Sequence, residues 1–412
     1  MIDINLLRDN PQARAALSKK EPNFNIVALL QLDAELRAKT VQVEALRAEK
    51  NSLAAAAKNG ITPEIRARSL TIGAELKALE PVLAELQAQF EQLALCCPNI
   101  PQDIVPAGFK EANQVVKEWG TKPEFNFPLK KHTELGEALG WFDFKAAVKM
   151  TAARFALYQG EAVKLVYSLM LFMFKNNLKH GFTPILPPYL VNEKSLEVAS
   201  NFPKFRDQVF SVCDDLYLTP TSEVNLTNLY RDQILLAEQL PVRLTAWTSC
   251  FLREAGTYGA AEQGLIRIHQ FEKVELYTLC EPENSETEQL KMLACAEDIL
   301  QQLGLHYRVS LLAAQDCSFA SAKTFDIEVW MPGQGAYYEV SSCSNCTDFQ
   351  ARRGKIRYKK QAGDSTRLVH TLNSSSLALP RLMVALMETY QQPDGTIKLP
   401  PAVQQFGLFD FI

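Results

Sequence analysis

The sequence predicts an α+β fold: a mainly antiparallel sheet with flanking helices, preceded by an N-terminal antiparallel α-helical coiled-coil hairpin. Three observations point to it. Residues 27–97 hold an apolar heptad repeat, broken once by a turn signal. Beyond residue 128, short strand-like runs alternate with helical ones, and several of the strands face each other across hairpins. The 412-residue chain contains neither a Walker loop nor a Gly-x-Gly-x-x-Gly after a strand, so a nucleotide would not be held in the P-loop or Rossmann manner.

The arm comes first. Leu29, Leu32, Leu36, Val43, Leu46 and Leu53 fall on one a/d seam; Ile65, Ile72, Leu76, Leu79, Leu83, Leu86, Phe90 and Leu93 fall on a second. Between them, Lys58-Asn59-Gly60-Ile61-Thr62-Pro63 reads as a C-cap glycine followed by a Thr-Pro helix start. Two seamed helices joined by so short a turn must fold back on each other, each reaching about 45 Å at 1.5 Å per residue. From Arg37 to Lys77 there are eight basic residues against four acidic ones, and Asp33, Glu35, Glu80, Glu85 and Glu91 gather toward the base. A basic distal half suits a polyanion laid across it, although a solvated coiled coil with no ligand has the same periodicity.

Residues 1–100 are therefore the arm, the proline-rich stretch 101–128 a linker, and 129–412 a second domain. Within it, Ala162–Lys179 and Leu377–Tyr390 read as helices; Thr183–Leu186, Asp326–Trp330 and Ala336–Ser342 read as strands. Hydrophobic residues at 47% and charged residues at 22% describe a chain with ample core. No run of about 18 apolar residues is present, so no membrane partner is expected. The start, Met1 to Asp9, lacks a signal-peptide pattern, and nine scattered cysteines argue for reduced thiols and a cytoplasmic location. A net charge of −4 excludes a general polycation.

The stretch 249–275 concentrates chemistry. It reads as strand, turn-rich loop and strand, with Arg253, Glu254, Arg267, Phe271 and Glu275 able to line one site. Two cations, two carboxylates and an aromatic ring suit a nucleoside triphosphate and a small zwitterion. Glu339 and Ser342, three apart near a strand end, present oxygens suited to Mg²⁺. Cys343-Ser344-Asn345-Cys346 has no second Cys-x-x-Cys and no fitting histidine pair, so it reads as packing rather than a zinc site.

These segments, together with His132-Thr133-Glu134-Leu135-Gly136, Gly181 to Pro188, Thr221-Ser222-Glu223 and Asn373 to Arg381, occur in an order that resembles the seryl-tRNA synthetases, class II aminoacyl-tRNA synthetases with an N-terminal arm. The resemblance implies a class II catalytic sheet in a homodimer. It implies activation of L-serine by ATP with Mg²⁺ to seryl-adenylate, then transfer to tRNA(Ser) bound through the arm, with tRNA(Sec) as a further acceptor. By resemblance, Glu339, Ser342 and Arg381 are catalytic, and Glu339 and Ser342 hold the metal. Glu254, Phe271, Arg253, Arg267, Glu339 and Arg381 bind ATP. Thr221, Glu223, Arg267, Glu275, Asn373 and Ser375 surround serine. Partners for a hydroxyl in such a site would reject alanine, because they would be left unpaired.

Two departures stand out. Leu252 replaces the motif 2 arginine that the family uses on the α-phosphate. On a regular strand Arg253 faces the opposite side, and only a bulge would re-aim it to substitute. Loss of one such donor typically lowers the rate by about 10²–10³. Ala260-Ala261-Glu262-Gln263 replaces a loop that is basic in many relatives, while the run Arg352 to Lys360 offers basic surface elsewhere. Leu252 therefore opens a second reading, a catalytically impaired synthetase-like protein that binds tRNA or serine.

Overall fold

The computed structural model describes residues 1–253 and 264–404, which divide into two compact units, Met1–Pro98 and Asn99 onward. In the first, two short helices, α1 (Ile4–Asp9) and α2 (Pro11–Lys20), precede the two long ones, α3 (Ile26–Ala56) and α4 (Pro63–Leu95). Asn25 caps α3 by accepting from Ala28 N at 3.0 Å, and Thr62 caps α4 by accepting from Ile65 N. Gly60 turns the chain at φ +134°, a conformation that side chains rarely adopt. Val43 and Leu46 pack on Ile72 and Leu76 along the seam, so a narrow apolar stripe holds the hairpin together.

Three of the basic residues counted toward a polyanion surface are already paired. Arg47 meets Glu80 across the hairpin at 2.7 Å, Arg68 forks onto Glu49, and Arg37 bonds Asp33 within its own helix. Asp33 is buried and also receives Arg8, which ties α1 to the base of the arm. Lys39, Lys50, Lys58, Arg66 and Lys77 make no such ion pair within the arm, so the basic half is narrower than its composition suggests.

The second unit is built on eight strands: β1 (Gln114–Trp119), β2 (Thr183–Ile185), β3 (Val242–Phe251), β4 (Gln270–Cys280), β5 (Tyr307–Leu311), β6 (Lys323–Met331), β7 (Ala336–Asn345) and β8 (His370–Ala378). Their spatial order is β1-β5-β6-β7-β8-β4-β3-β2, antiparallel throughout except for the β2–β3 edge. The segment 101–128 is therefore not a plain linker: Gln114–Trp119 adds an edge strand to this sheet. Its exposed, charged alternation and flanking prolines hide it, because an edge strand has little core to pattern.

Helices α5 (Glu161–Lys179), α7 (Ser285–Gln302) and α8 (Leu379–Tyr390) cover one face of the sheet. Leu165, Leu169, Met292, Ile299, Leu382 and Leu386 meet Val274, Leu276, Ile327 and Val340 there. The short helix α6 (Ser222–Leu229) reaches the other face, where Leu226 packs on Tyr277 and Leu244. The candidate site lies on that second face, beyond these contacts.

Candidate functional site

Strand alternation selects the site face. On β4, Phe271, Lys273 and Glu275 point the same way; their partners on β3 are Cys250, Thr248 and Ala246. On β8, Ser375 pairs with Glu275, and Asn373 with Tyr277. On β7 the register slips between Glu339 and Ser341, so Glu339 opposes Glu328 while Ser342 opposes Asp326. A regular strand would send residues three apart to opposite faces; this bulge brings Glu339 and Ser342 to one face.

One end of the face is a compact polar cradle. Thr221 caps α6 by accepting from Glu223 N at 3.2 Å, and its hydroxyl donates to Glu275 Oε2 at 3.2 Å. The Lys273 ammonium donates to Thr221 Oγ1 at 2.7 Å and lies 2.5 Å from Glu275 Oε2. Beside them, Glu223 Oε1 accepts from Gln350 Nε2 at 2.6 Å and Asn373 Nδ2 at 3.1 Å. Gln350 is oriented by Thr371, whose hydroxyl donates to its Oε1 at 2.7 Å. Burial pushes the Glu223 carboxyl up to about 7, and the nearby Glu275 charge adds to it. Burial also raises Glu275, against the pull of Lys273. For Lys273, burial works against the charge, but Glu275, Cys250 and Glu223 together outweigh it and the ammonium is held above its ordinary value.

Next to the cradle is a cleft lined by Arg267, Phe271, Lys273, Glu339, Ser375 and Arg381. Arg381, in the first turn of α8, donates from Nη1 to the Glu339 carbonyl at 2.8 Å and from Nε to Ile266 O at 3.2 Å, and faces the Glu339 carboxylate at 3.4 Å. Three cations facing one cleft make an anion site. A second cleft, between α5 and the sheet, is lined by Tyr158, Tyr167, Trp247 and Glu272 among others, with no arginine or lysine in its wall among the described residues. It offers nothing to a polyphosphate.

The structure thus gathers Thr221, Glu223, Glu275, Asn373 and Ser375 with Arg267, Phe271, Glu339, Ser342 and Arg381 on one face of the sheet. It does not bring Arg253 to the cleft: that guanidinium sits 5.9 Å from the Phe210 ring, and the backbone N–H donates to Gln208 O. Glu254 and the Ala260–Gln263 loop lie outside the described residues. Sequence reasoning missed Lys273, Gln350 and Asp326. Lys273 was within reach, because the period of two that places Phe271 and Glu275 also places it. Gln350 and Asp326 arrive from distant segments. Asp326 is half-buried with its Oδ1 inaccessible, hydrogen-bonds Ser342 and is forced well above the ordinary carboxylate range by desolvation and then by Glu339. Its Oδ1 makes no hydrogen bond. Cys343 and Cys346 are buried free thiols, and among the described residues no cluster of histidine, cysteine and carboxylates suits a metal by itself.

Known proteins agree with this architecture. The tRNA synthetase class II core domain (G, H, P, S and T) matches residues 210–390, and the seryl-tRNA synthetase N-terminal domain matches residues 1–101. The serine–tRNA ligase of Syntrophobacter fumaroxidans is 43% identical over 98% of both chains, and that of Acidithiobacillus ferrooxidans 44% identical over 98% of both. The crystal structure of seryl-tRNA synthetase from Pyrococcus horikoshii complexed with ATP superposes with a TM-score of 0.93 at 34% identity, covering 100% of this chain and 99% of the other. The cytoplasmic serine–tRNA ligase of Naegleria fowleri in complex with AMP gives 0.85 at 25% identity, over 98% and 97%. With both domains matched and the relatives aligned end to end, the chain belongs to the seryl-tRNA synthetase family and is a class II aminoacyl-tRNA synthetase, a serine–tRNA ligase.

Proposed function

We propose that the cradle and the cleft are the serine and ATP halves of one activation site, with the arm as the tRNA-binding element. The observation that supports this most is their continuity. Lys273 belongs to both, so an ammonium held at Glu275 and a phosphate facing Arg267 and Arg381 would be neighbours on one face. In this reading Thr221, Glu223 and Glu275 hold the serine ammonium, and Asn373 and Ser375 approach its hydroxyl. Arg267 orients the carboxylate and the phosphates. Phe271 stacks on adenine, with Glu254 as acceptor for its amino group. Arg381 neutralises the terminal phosphate. The serine carboxylate oxygen attacks the α-phosphorus, the bond to the β-phosphate oxygen breaks, and pyrophosphate leaves.

The residues fit Mg²⁺. Glu339 and Ser342 offer oxygens on one face, and the buried, unpartnered Asp326 Oδ1 beside Ser342 is a polar atom with capacity to spare. When bound, the ion would neutralise charge on the phosphates. Glu339 and Ser342 would hold it, and Asp326 would orient Ser342.

Transfer then runs to tRNA(Ser), with tRNA(Sec) as a second acceptor, in a cytoplasmic homodimer. The acceptor reading draws on the seryl-specific N-terminal domain match and the unpaired basic residues of the arm. Leu252 favours a slowed enzyme over one with an intact motif 2, and it sustains the second reading of an impaired binding protein. Serine-dependent ATP–pyrophosphate exchange on the purified protein, with Leu252→Arg beside it, tests both. Exchange in the unmodified protein supports the ligase; exchange only after the substitution supports the impaired protein; exchange in neither refutes the site assignment.

A further inference from the structure

Lys273 stands where the incoming substrate is expected. Its Nζ fills the hydrogen-bonding positions at Thr221 Oγ1, 2.7 Å away, and at Glu275 Oε2, 2.5 Å away. Those are the groups assigned above to the serine ammonium; Thr221 Oγ1 already accepts from Glu223 N and Lys273, so a second ammonium can take the Thr221 position only if Lys273 leaves it. Without serine the lysine has good reason to be there. Glu275 is buried, and a buried carboxylate without a cation is strongly disfavoured. Once serine brings its own ammonium, Lys273 is surplus at that point and its four-carbon stem lets it move.

The nearest place that needs it is in the same cleft. Lys273 lines the wall with Arg267, Glu339 and Arg381, between the cradle and the phosphate cations. Arg381 is tied by hydrogen bonds to the Glu339 and Ile266 carbonyls and cannot shift toward the cradle without breaking them. On β3, positions 246, 248 and 250 pair onto the site face; the strand ends at Phe251, and the next residue, whose N–H donates to His269 O, is the uncharged Leu252. The junction between the serine carboxylate and the α-phosphate therefore lies beside a displaceable lysine and lacks the cation that position 252 would provide.

We propose that Lys273 is a displaceable counter-ion: before serine enters, its ammonium takes the place of serine's, and binding of serine shifts it onto the carboxylate–α-phosphate junction, where it supplies the positive charge absent at Leu252. This inference rests on the serine-site assignment above. Lys273 keeps its proton throughout. The bond formed is serine oxygen to α-phosphorus, the bond broken is α-phosphorus to bridging oxygen, and pyrophosphate leaves with the electron pair.

The test uses the full-length protein and its Lys273→Met, Lys273→Arg and Leu252→Arg/Lys273→Met variants, with folding checked by thermal melting. Serine binding is read by calorimetry and turnover by pyrophosphate exchange. Lys273→Met is expected to lower kcat by about 100-fold while serine binds within about twofold of its original affinity. The double variant is expected to regain at least about tenfold of that loss, and Lys273→Arg to keep more activity than the methionine. A purely structural lysine would behave otherwise: serine affinity would collapse with kcat retained, or the arginine at 252 would restore nothing, and either result overturns the proposal. If the unmodified protein binds no serine, the site assignment itself fails and the inference with it. Should the methionine variant not fold, the unmodified protein with a non-hydrolysable seryl-adenylate analogue decides. A crystal structure with Nζ within about 3.5 Å of a phosphate oxygen supports displacement, and Nζ still on Thr221 refutes it.

Discussion

Serine affinity should depend on pH through Glu223. Burial and the Glu275 charge hold this carboxyl near 7, whereas an exposed glutamate ionises close to its ordinary 4.5. The groups facing it are Glu275 and Lys273 of β4, the Gln350 and Asn373 amides, and the buried Tyr277. An ammonium ligand prefers the ionised form, so serine binding expels the Glu223 proton, and affinity falls as pH drops through 7. For a single group with a pKa of about 7, the ionised fraction falls from about nine-tenths at pH 8 to about one-tenth at pH 6, so KM for serine should rise about tenfold over that span. Because bound serine holds Glu223 ionised, the effect belongs to kcat/KM, and kcat should stay nearly flat. Exchange assays at saturating ATP, from pH 5.5 to 8.5, measure both. Glu223→Gln keeps an acceptor oxygen for Gln350 and Asn373 and removes the charge; its KM should be high and independent of pH. A serine KM that is flat from pH 6 to 8 in the unmodified protein, or a Gln variant that retains the slope, would refute the assignment.

Leu252→Arg alone should raise the exchange rate by less than about tenfold, because Lys273 already covers the α-phosphate; a gain near the 10²-fold that a missing donor costs would show the phosphate uncovered and overturn that role. Asp326→Asn should weaken divalent-metal binding about 10–100-fold, read by Mn²⁺ titration in the presence of an ATP analogue, and added metal should restore activity. Removing residues 37–77 should cut tRNA aminoacylation far more than adenylate formation; equal losses would sever the arm from tRNA. Gly264→Ala should be destabilising by about 1 kcal/mol or more, seen in thermal melts. Gly264 has φ +67°, and an added Cβ would lie 2.3 Å from the buried His132 ring.

The arm was legible in the sequence because a heptad seam is a local pattern, and so were the Gly-Ile-Thr-Pro turn and the long helices on either side. The site was legible as a set of motifs, since Thr221, Glu223, Glu275 and Arg381 each sit in short recognisable stretches. What the motifs could not show is which residues complete them. Asp326 and Gln350 come from segments with no chemical signature of their own, brought in by cross-strand register and by a helix 127 residues away from Glu223 in sequence. Arg253, expected by resemblance to bind ATP, lies past the end of β3 with its guanidinium 5.9 Å from the Phe210 ring, a placement that the motif alone does not reveal. The edge strand β1 was missed because an exposed strand carries little apolar alternation, and arm charge was overcounted because cross-hairpin pairing is not readable from composition.

The slip in register at Val340 has a consequence for how this site could be lost. It is one extra residue in one strand, and with every residue kept the two oxygen donors on either side of it share a face only while it persists. Regular pairing of the intact strand would turn Glu339 to the helix-covered side, carrying a carboxylate toward the apolar core and taking its oxygen away from Ser342. Deleting Val340 alone would instead keep Glu339 opposite Glu328 and Ser342 opposite Asp326, so shortening the strand here would spare the donor pair, whereas a one-residue slip would lose it.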